Sequence, residues 1–447
     1  MEKKNISSSE AAANWIDQFD MLLHSRQRDD QEQVSQYRKE AIDSFKENGF
    51  PSTRHEEWKY TSVKPLLSQG FRPSFFRKET GLSPEDLEPY LIEGLTANVL
   101  VFVNGFYEPS LSKVIDAPEN ILVQSLEDAQ KKNSALLANH YSRIADFRTD
   151  GFTALNTAFF LDGTFVHVPK GKVVEHPVQI LHLMQTSEGS LAANTRNLFL
   201  VEENAQVRFF ESRYTLGDQE SLCNQVSEVE VGKHAHVEWY VLQEDQAGGN
   251  QINHTQVNQA KQSVFKSYVF SMGGGLTRNT LNITLQDEHC EAYMYGLYLL
   301  SGKQHVDNHT LVDHAMPNCY SNELYKGVMM DQSTGVFNGK IMVRKDAQKT
   351  NAFQSNRNLL LSEEASINTK PQLEIFADDV KCSHGATTGM SDKEALFYVR
   401  SRGMTQKAAS ALLTEAFANE VLENANLEPL TDYLRDKISD LIQSNLS

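Results

Sequence analysis

Cysteine is scarce in this 447-residue chain: Cys223, Cys290, Cys319 and Cys382 are the four, and none stands in a Cys-x-x-Cys. That is too few and too scattered for a disulfide framework, and it fits free thiols in a reducing compartment. Long apolar runs are missing too, and none approaches the ~18–20 residues that span a bilayer. The opening Met-Glu-Lys-Lys-Asn-Ile-Ser has no apolar segment behind its lysines, so it reads neither as a secretory signal nor as an Arg-rich transit peptide. A cytoplasmic location is expected. Positive charge is in deficit, with Lys plus Arg at 42 against Asp plus Glu at 59 and a formal charge of −17. Such a surface repels nucleic acid phosphates and anionic lipid. There is no Gly-x-x-x-x-Gly-Lys-Ser/Thr, no Gly-x-Ser-x-Gly and no His-Glu-x-x-His, and Gly273-Gly274-Gly275 lies between strands rather than at a strand-to-helix turn. Nothing here is equipped to hydrolyse nucleotide or activate a serine; if energy is used, a partner supplies it.

What is present falls into three regions. Residues 1–95 read as helical. Ser9 is placed to cap a helix carrying Trp15, Ile16 and Phe19, and a second carries Val34, Tyr37, Ala41, Ile42 and Phe45 before Gly49-Phe50-Pro51 stops it. Residues 96–388 switch to period two, as where Leu281, Ile283 and Leu285 alternate with Asn282 and Thr284. No amphipathic helix is evident between about residues 163 and 388, which argues against a doubly wound sheet. A sandwich, barrel, propeller or β-solenoid remain. Recurrent small-x-apolar units (Ala205-Gln206-Val207, Ala235-His236-Val237, Ala365-Ser366-Ile367) favour the solenoid, in which coils stack on their neighbours. Residues 389–447 are helical again. Ser391-Asp392-Lys393-Glu394 is a capping box, and Thr405 caps the helix of Leu412, Leu413, Phe417 and Val421.

Two constellations could carry metal chemistry. In Lys381-Cys382-Ser383-His384-Gly385-Ala386-Thr387, a thiol and an imidazole two residues apart share one face of a strand. Both are good ligands for iron, zinc or copper(I). A closed site needs about four ligands, so the rest must come from elsewhere; the bland alternative is a packed thiol and a hydrogen-bonded histidine. His305, Asp307 and His309 also share a face, with Asp313 further along it and His314 opposite; they suggest a non-haem iron triad or simply a polar outer face. Cys223, Cys290 and Cys319 read as small buried hydrophobes, and His234, His236 and Glu238 as a polar face. Leu412, Leu413, Phe417 and Val421 fit either docking of a partner or packing on the solenoid end.

Several strings carry a family resemblance. They are Glu57-Trp58-Lys59-Tyr60-Thr61, Val101-Phe102-Val103-Asn104-Gly105, Ala154-Leu155-Asn156-Thr157-Ala158 and Gln354-Ser355-Asn356-Arg357-Asn358-Leu359-Leu360-Leu361. The most specific is the run from Pro371-Gln372-Leu373-Glu374-Ile375 through Lys381-Cys382-Ser383-His384-Gly385-Ala386-Thr387 to Arg400-Ser401-Arg402-Gly403. Together they resemble the SufB/SufD family of iron–sulfur cluster assembly scaffolds. SufB-like chains carry Cys-Asp-Ser where Asn356-Arg357-Asn358 stands and His-Glu-Ala where His384-Gly385-Ala386 stands, so the SufD branch is the better match. The resemblance implies a right-handed parallel β-helix core between helical regions. The role it implies is that of a non-catalytic scaffold, not an enzyme. It implies pairing with SufB through the β-helices, or with a second copy in isolation, and binding of the SufC ATPase through the C-terminal helices. No nucleotide would be bound by this chain. His384 matches the family's interfacial metal-ligand histidine, with Cys382 as neighbour, for iron or a nascent cluster shared with SufB. The competing readings are a β-solenoid carbohydrate-active enzyme and a non-haem iron protein built on His305, Asp307 and His309.

Overall fold

A computed structural model describes residues 7–26, 32–137, 140, 144–390 and 393–446. The first helix, Ser8–Arg26, is capped two residues earlier than expected. Ser7 Oγ accepts from the Glu10 amide at 3.2 Å, and the Glu10 carboxylate accepts from the Ser7 amide at 2.8 Å, so Ser7 rather than Ser9 makes the reciprocal cap. The second helix, Glu32–Asn48, buries Val34, Ala41, Ile42 and Phe45, and ends at Gly49 with φ +62°, a conformation cheap for glycine. Its buried Arg38 donates from Nη1 to the carbonyls of Ala158 (2.9 Å) and Phe160 (2.7 Å), tying it to the end of helix Gly151–Phe159. That helix, with Leu126–Lys132 and Ser134–Leu137, lies inside the stretch 96–388 assigned to strands. All nine residues of Gly151–Phe159 are buried, so it has no polar stripe to give it away.

From Thr164 to Gly389 strand follows strand, and successive strands alternate between two ten-stranded sheets. The result is a β-solenoid of about eight turns. Each strand serves as the crossover for the opposite sheet, which satisfies the connection that parallel pairing demands. In one sheet Gln206, His236, Val264, Glu291, Tyr320, Asn351 and Lys381 stand in register, one per coil. Two residues before each of the first six of these positions the chain turns through a left-handed residue: Asn204, His234, Gln262, His289, Asn318 and Lys349, with φ between +57° and +61°. The next residue is small and fully buried: Ala205, Ala235, Ser263, Cys290, Cys319 and Thr350. This corner is the small-x-apolar repeat, and Cys290 and Cys319 are two of its rungs.

The N-terminal edges are covered by antiparallel partners, Phe106–Tyr107 on Asn98–Val103 and Leu122–Ser125 on Thr164–Val168. At the other end the last helices, Gln406–Leu422 and Glu428–Leu446, lie along the outer face of one sheet. There Val421, Leu422, Leu430, Leu434 and Ile438 pack on Tyr240, Tyr268 and Leu297. Thr405 caps the first of them by accepting from the Ala408 amide. Ser391 and Asp392 of the expected capping box lie outside the described residues.

Candidate functional site

The side chains inside the solenoid form columns, one residue per coil. One column runs Phe209, Trp239, Ser267, Met294, Glu323, Gln354, His384. It begins aromatic and ends polar. Its last member sits on the strand Lys381–Gly389, which pairs with Asn351–Leu360 on one edge and, among the described residues, with no strand on the other. Cys382 stands opposite Ala352 and His384 opposite Gln354; both of those neighbours are buried, so by register Cys382 and His384 face the same interior. No further coil covers them. His384 is therefore exposed, while Cys382 is half-buried and packs beside Ala352, Leu373 and Val380. Burial pushes the Cys382 thiol up. That favours the thiol over the thiolate.

Behind His384 the column holds an acid. Glu323 accepts from Thr310 Oγ at 2.6 Å and from Gln354 Nε2 at 2.7 Å, and burial pushes its carboxyl up to about 7. Nothing in the sequence marks Glu323 or Gln354 as a site residue. Aligning strands at the coil spacing, 323 to 354 to 384, puts them in line with His384.

His305, Asp307 and His309 are brought together on the outer face, but as a lock and not as an open triad. Asp307, 1% exposed, accepts from Thr61 Oγ and from Arg278 Nη1, each at 2.5 Å. Burial would raise its carboxyl, but Arg278, His309 and Thr61 outweigh that and hold it well below the usual carboxylate range. His305 Nε2 contacts Thr61 Oγ at 2.9 Å, and His309 lies between Asp307 (2.9 Å) and Glu57 (3.3 Å). Trp58 and Thr61 of the signature string thus fasten the N-terminal region onto the solenoid. The non-haem iron reading is corrected accordingly, because the carboxylate is already committed to a guanidinium. A cavity of about 470 Å³ lies alongside, but its cations are paired: Arg278 with Asp307, and Lys340 with Glu374 at 2.7 Å. His314, inside, is bonded to Ser321, and burial lowers it to about 4. Cys223, Cys290 and Cys319 are buried free thiols.

One triplet of metal-type donors among the described residues lies within 4.8 Å: Asp116, Glu175 and His176. Asp116 is engaged there by Asn98 and by His176 Nδ1 at 3.0 Å, and the group acts as a corner tie.

The four apolar residues of the C-terminal helix divide. Leu412 is exposed and Leu413 half-buried. Phe417 is half-buried beneath the ammonium of Lys326, 4.1 Å from its ring centre, and that ammonium also bonds the Phe417 carbonyl at 2.8 Å. Val421 is 0% exposed. The expectation that Val421 docks a partner is corrected: one helical turn beyond Phe417, it falls on the stripe that seats the helix on the sheet. The free surface lies instead on helix Lys393–Ser401, which buries none of its residues and leaves Phe397 74% exposed.

A parallel β-solenoid flanked by helices, its last strand among the described residues carrying Cys382 and His384 on one face, defines the class: β-solenoid proteins with helical ends. Residues 182–417 match the SufBD core domain of the SUF system of iron–sulfur cluster assembly, and residues 9–180 match the SufBD N-terminal region. The chain belongs to the SufBD family. A SufBD family iron–sulfur cluster assembly protein of Synechocystis is 34% identical over 400 residues, 87% of each chain. The SufD protein of Escherichia coli is 30% identical over 392 residues, covering 87% of this chain and 89% of its own. The chloroplastic protein ABCI7 of Arabidopsis thaliana is 28% identical over 411 residues, 88% of this chain and 83% of its own. No helix among the described residues is long and apolar enough to cross a membrane.

Proposed function

We propose that this chain is a non-catalytic scaffold subunit of the SUF complex. It pairs with SufB at the uncovered end of its solenoid and carries SufC on its C-terminal helices. It offers His384, with Cys382 beside it, to iron or a nascent cluster shared with SufB cysteine. Metal is cargo here, and the work of nucleotide hydrolysis belongs to SufC.

What carries this reading is the last strand, bonded on one edge and, among the described residues, open on the other. It combines a free hydrogen-bonding edge, two inward-facing candidate ligands, the exposed His384 and the half-buried Cys382, and a rim of exposed apolar side chains, Phe353, Ile375 and Phe376. Such an edge is a template for another strand. The ligand set is incomplete, as a shared site requires. Asn356 and Asn358, standing where SufB-like chains carry Cys and Ser, close a ring with Tyr298 instead. Asn356 Nδ2 donates to Tyr298 Oη at 3.0 Å, and that hydroxyl donates to Asn358 Oδ1 at 2.6 Å. Any sulfur-accepting thiol at that level therefore comes from the partner. Phe397, Tyr398 and Leu412 supply an exposed apolar surface for SufC.

The test is co-expression with SufB and SufC, followed by native mass and iron analysis. His384→Ala leaves the three-subunit complex intact and abolishes cluster formation, and Cys382→Ala has the milder effect. Full cluster yield from His384→Ala removes the ligand role; failure to co-purify removes the scaffold role.

A further inference from the structure

The interior column ending at His384 carries a built hydrogen-bond relay. Gln354 is 3% exposed, and its Nε2 donates to Glu323 at 2.7 Å. That carboxylate, held in turn by Thr310 Oγ, can only accept at this contact when ionised, so it fixes the amide with nitrogen toward Glu323 and oxygen away. The oxygen, Gln354 Oε1, is buried and has no hydrogen-bond partner. Buried carbonyl oxygens are rarely left so.

The surroundings narrow the choice of donor. Gly339 makes room for the amide: a Cβ there would lie 2.3 Å from Gln354 Nε2 and 2.9 Å from Gln354 Cδ. Beyond Gly339 in the same sheet stands Pro371, whose side chain has no donor. On the next rung of Gln354's own sheet stands His384, pointing the same way. Adjacent rungs are separated by about 4.8 Å, so the exposed imidazole of His384 is the neighbouring side chain with an N–H to offer on that side.

We infer that Gln354 is a positioning residue for His384: its Oε1 accepts a hydrogen bond from one ring N–H, fixes the tautomer and leaves the other ring nitrogen as a lone-pair donor at the open end. Glu323 acts one step behind, by orienting the amide. Metal-binding histidines usually have their second nitrogen held in this way, and loss of the holding group costs about 10–100-fold in affinity or activity. The metal-facing consequence rests on the proposed role of His384; the hydrogen bond itself does not.

The experiment is two-bond 15N–1H spectroscopy of the full-length chain labelled with 15N-histidine, the His384 ring being assigned by its loss in His384→Ala. In the unsubstituted protein His384 shows one dominant tautomer. Gln354→Leu releases it to a tautomer mixture, and Gln354→Glu, which keeps an acceptor, restores one form. Glu323→Met, measured beside it, frees the amide to turn its nitrogen outward and reverses the tautomer. His384 ring signals identical in the unsubstituted chain, Gln354→Leu and Glu323→Met overturn the inference. In the complex with SufB and SufC, Gln354→Leu slows cluster formation by about tenfold or more. Cluster loss in His384→Ala with unaltered ring signals in Gln354→Leu removes the inference and keeps the proposed function. Full cluster yield in His384→Ala with a tautomer change in Gln354→Leu does the reverse.

Discussion

The guanidinium of Arg278 lies 3.9 Å from the centre of the Trp58 ring while its Nη1 bonds Asp307 at 2.5 Å. One residue of the solenoid wall is thus held by an indole from the N-terminal region and by a carboxylate two strands' length along the chain. Trp58 stacks in turn on Phe152, with ring centres 5.4 Å apart. The Glu57-Trp58-Lys59-Tyr60-Thr61 string is therefore a fastening between regions.

Removing the cation alone is the severe change. Arg278→Leu leaves the Asp307 carboxylate buried without its countercharge and costs about 3–5 kcal/mol. The double variant Arg278→Leu/Asp307→Leu recovers most of that loss. Chemical denaturation of the three proteins checks it, and a single variant within about 1 kcal/mol of the parent contradicts the lock. Because the folded carboxyl sits below its unfolded value, its contribution is present above about pH 4 and is lost as pH falls further.

Glu323 behaves in the opposite sense. Its folded carboxyl is raised from an ordinary 4.5 to about 7, so between those values the folded chain holds more protons than the unfolded one. Stability then falls as pH rises through that window. At about 1.4 kcal/mol per tenfold change in proton affinity, the loss by pH 8 is on the order of 3 kcal/mol. Glu323→Gln removes this slope: melting curves show the variant level with the parent near pH 4.5 and more stable than it at pH 8. Parallel profiles would refute the burial assigned to this acid.

Gly339→Ala tests the crowding of the same layer. The added methyl meets Gln354 Nε2 at 2.3 Å and Phe337 Cζ at 2.7 Å. Overpacking of this kind costs about 1–3 kcal/mol. Thermal unfolding of Gly339→Ala reads the loss, and an unchanged midpoint would mean that the amide is not where it is placed here.

The C-terminal helices separate packing from docking. Val421→Asp puts a charge under the helix and lowers the melting temperature; Leu412→Asp leaves it unchanged and weakens SufC retention on co-purification. If Leu412→Asp destabilises the lone chain instead, the surface assigned to SufC is internal.

Much of this architecture is legible in the sequence. Alternation in Leu281, Ile283 and Leu285 reports faces directly, and the corner repeat is visible at Ala205 and Ala235. It blurred further along because the small buried rung is filled by Ser263, Cys290, Cys319 and Thr350, which share size but not polarity. Helix Gly151–Phe159 escaped because a helix buried on every side has no stripe. At the site, the Cys382–His384 spacing announced a shared face, but not that the face belongs to the interior of the final coil. Glu323 and Gln354 lie 61 and 30 residues from His384 in sequence and meet it only through register. Val421 misled because helical spacing shows a stripe without showing what covers it.

The strand Lys381–Gly389 ends a ladder in which every strand from Val178–Gln185 to Asn351–Leu360 is bonded on both sides. Alone, the chain presents there a row of unanswered amides and carbonyls beside Phe376, 63% exposed. Such a row is a template for another strand, so concentrating the lone chain is expected to favour self-association through this edge, and whatever covers the edge acts also as its protection.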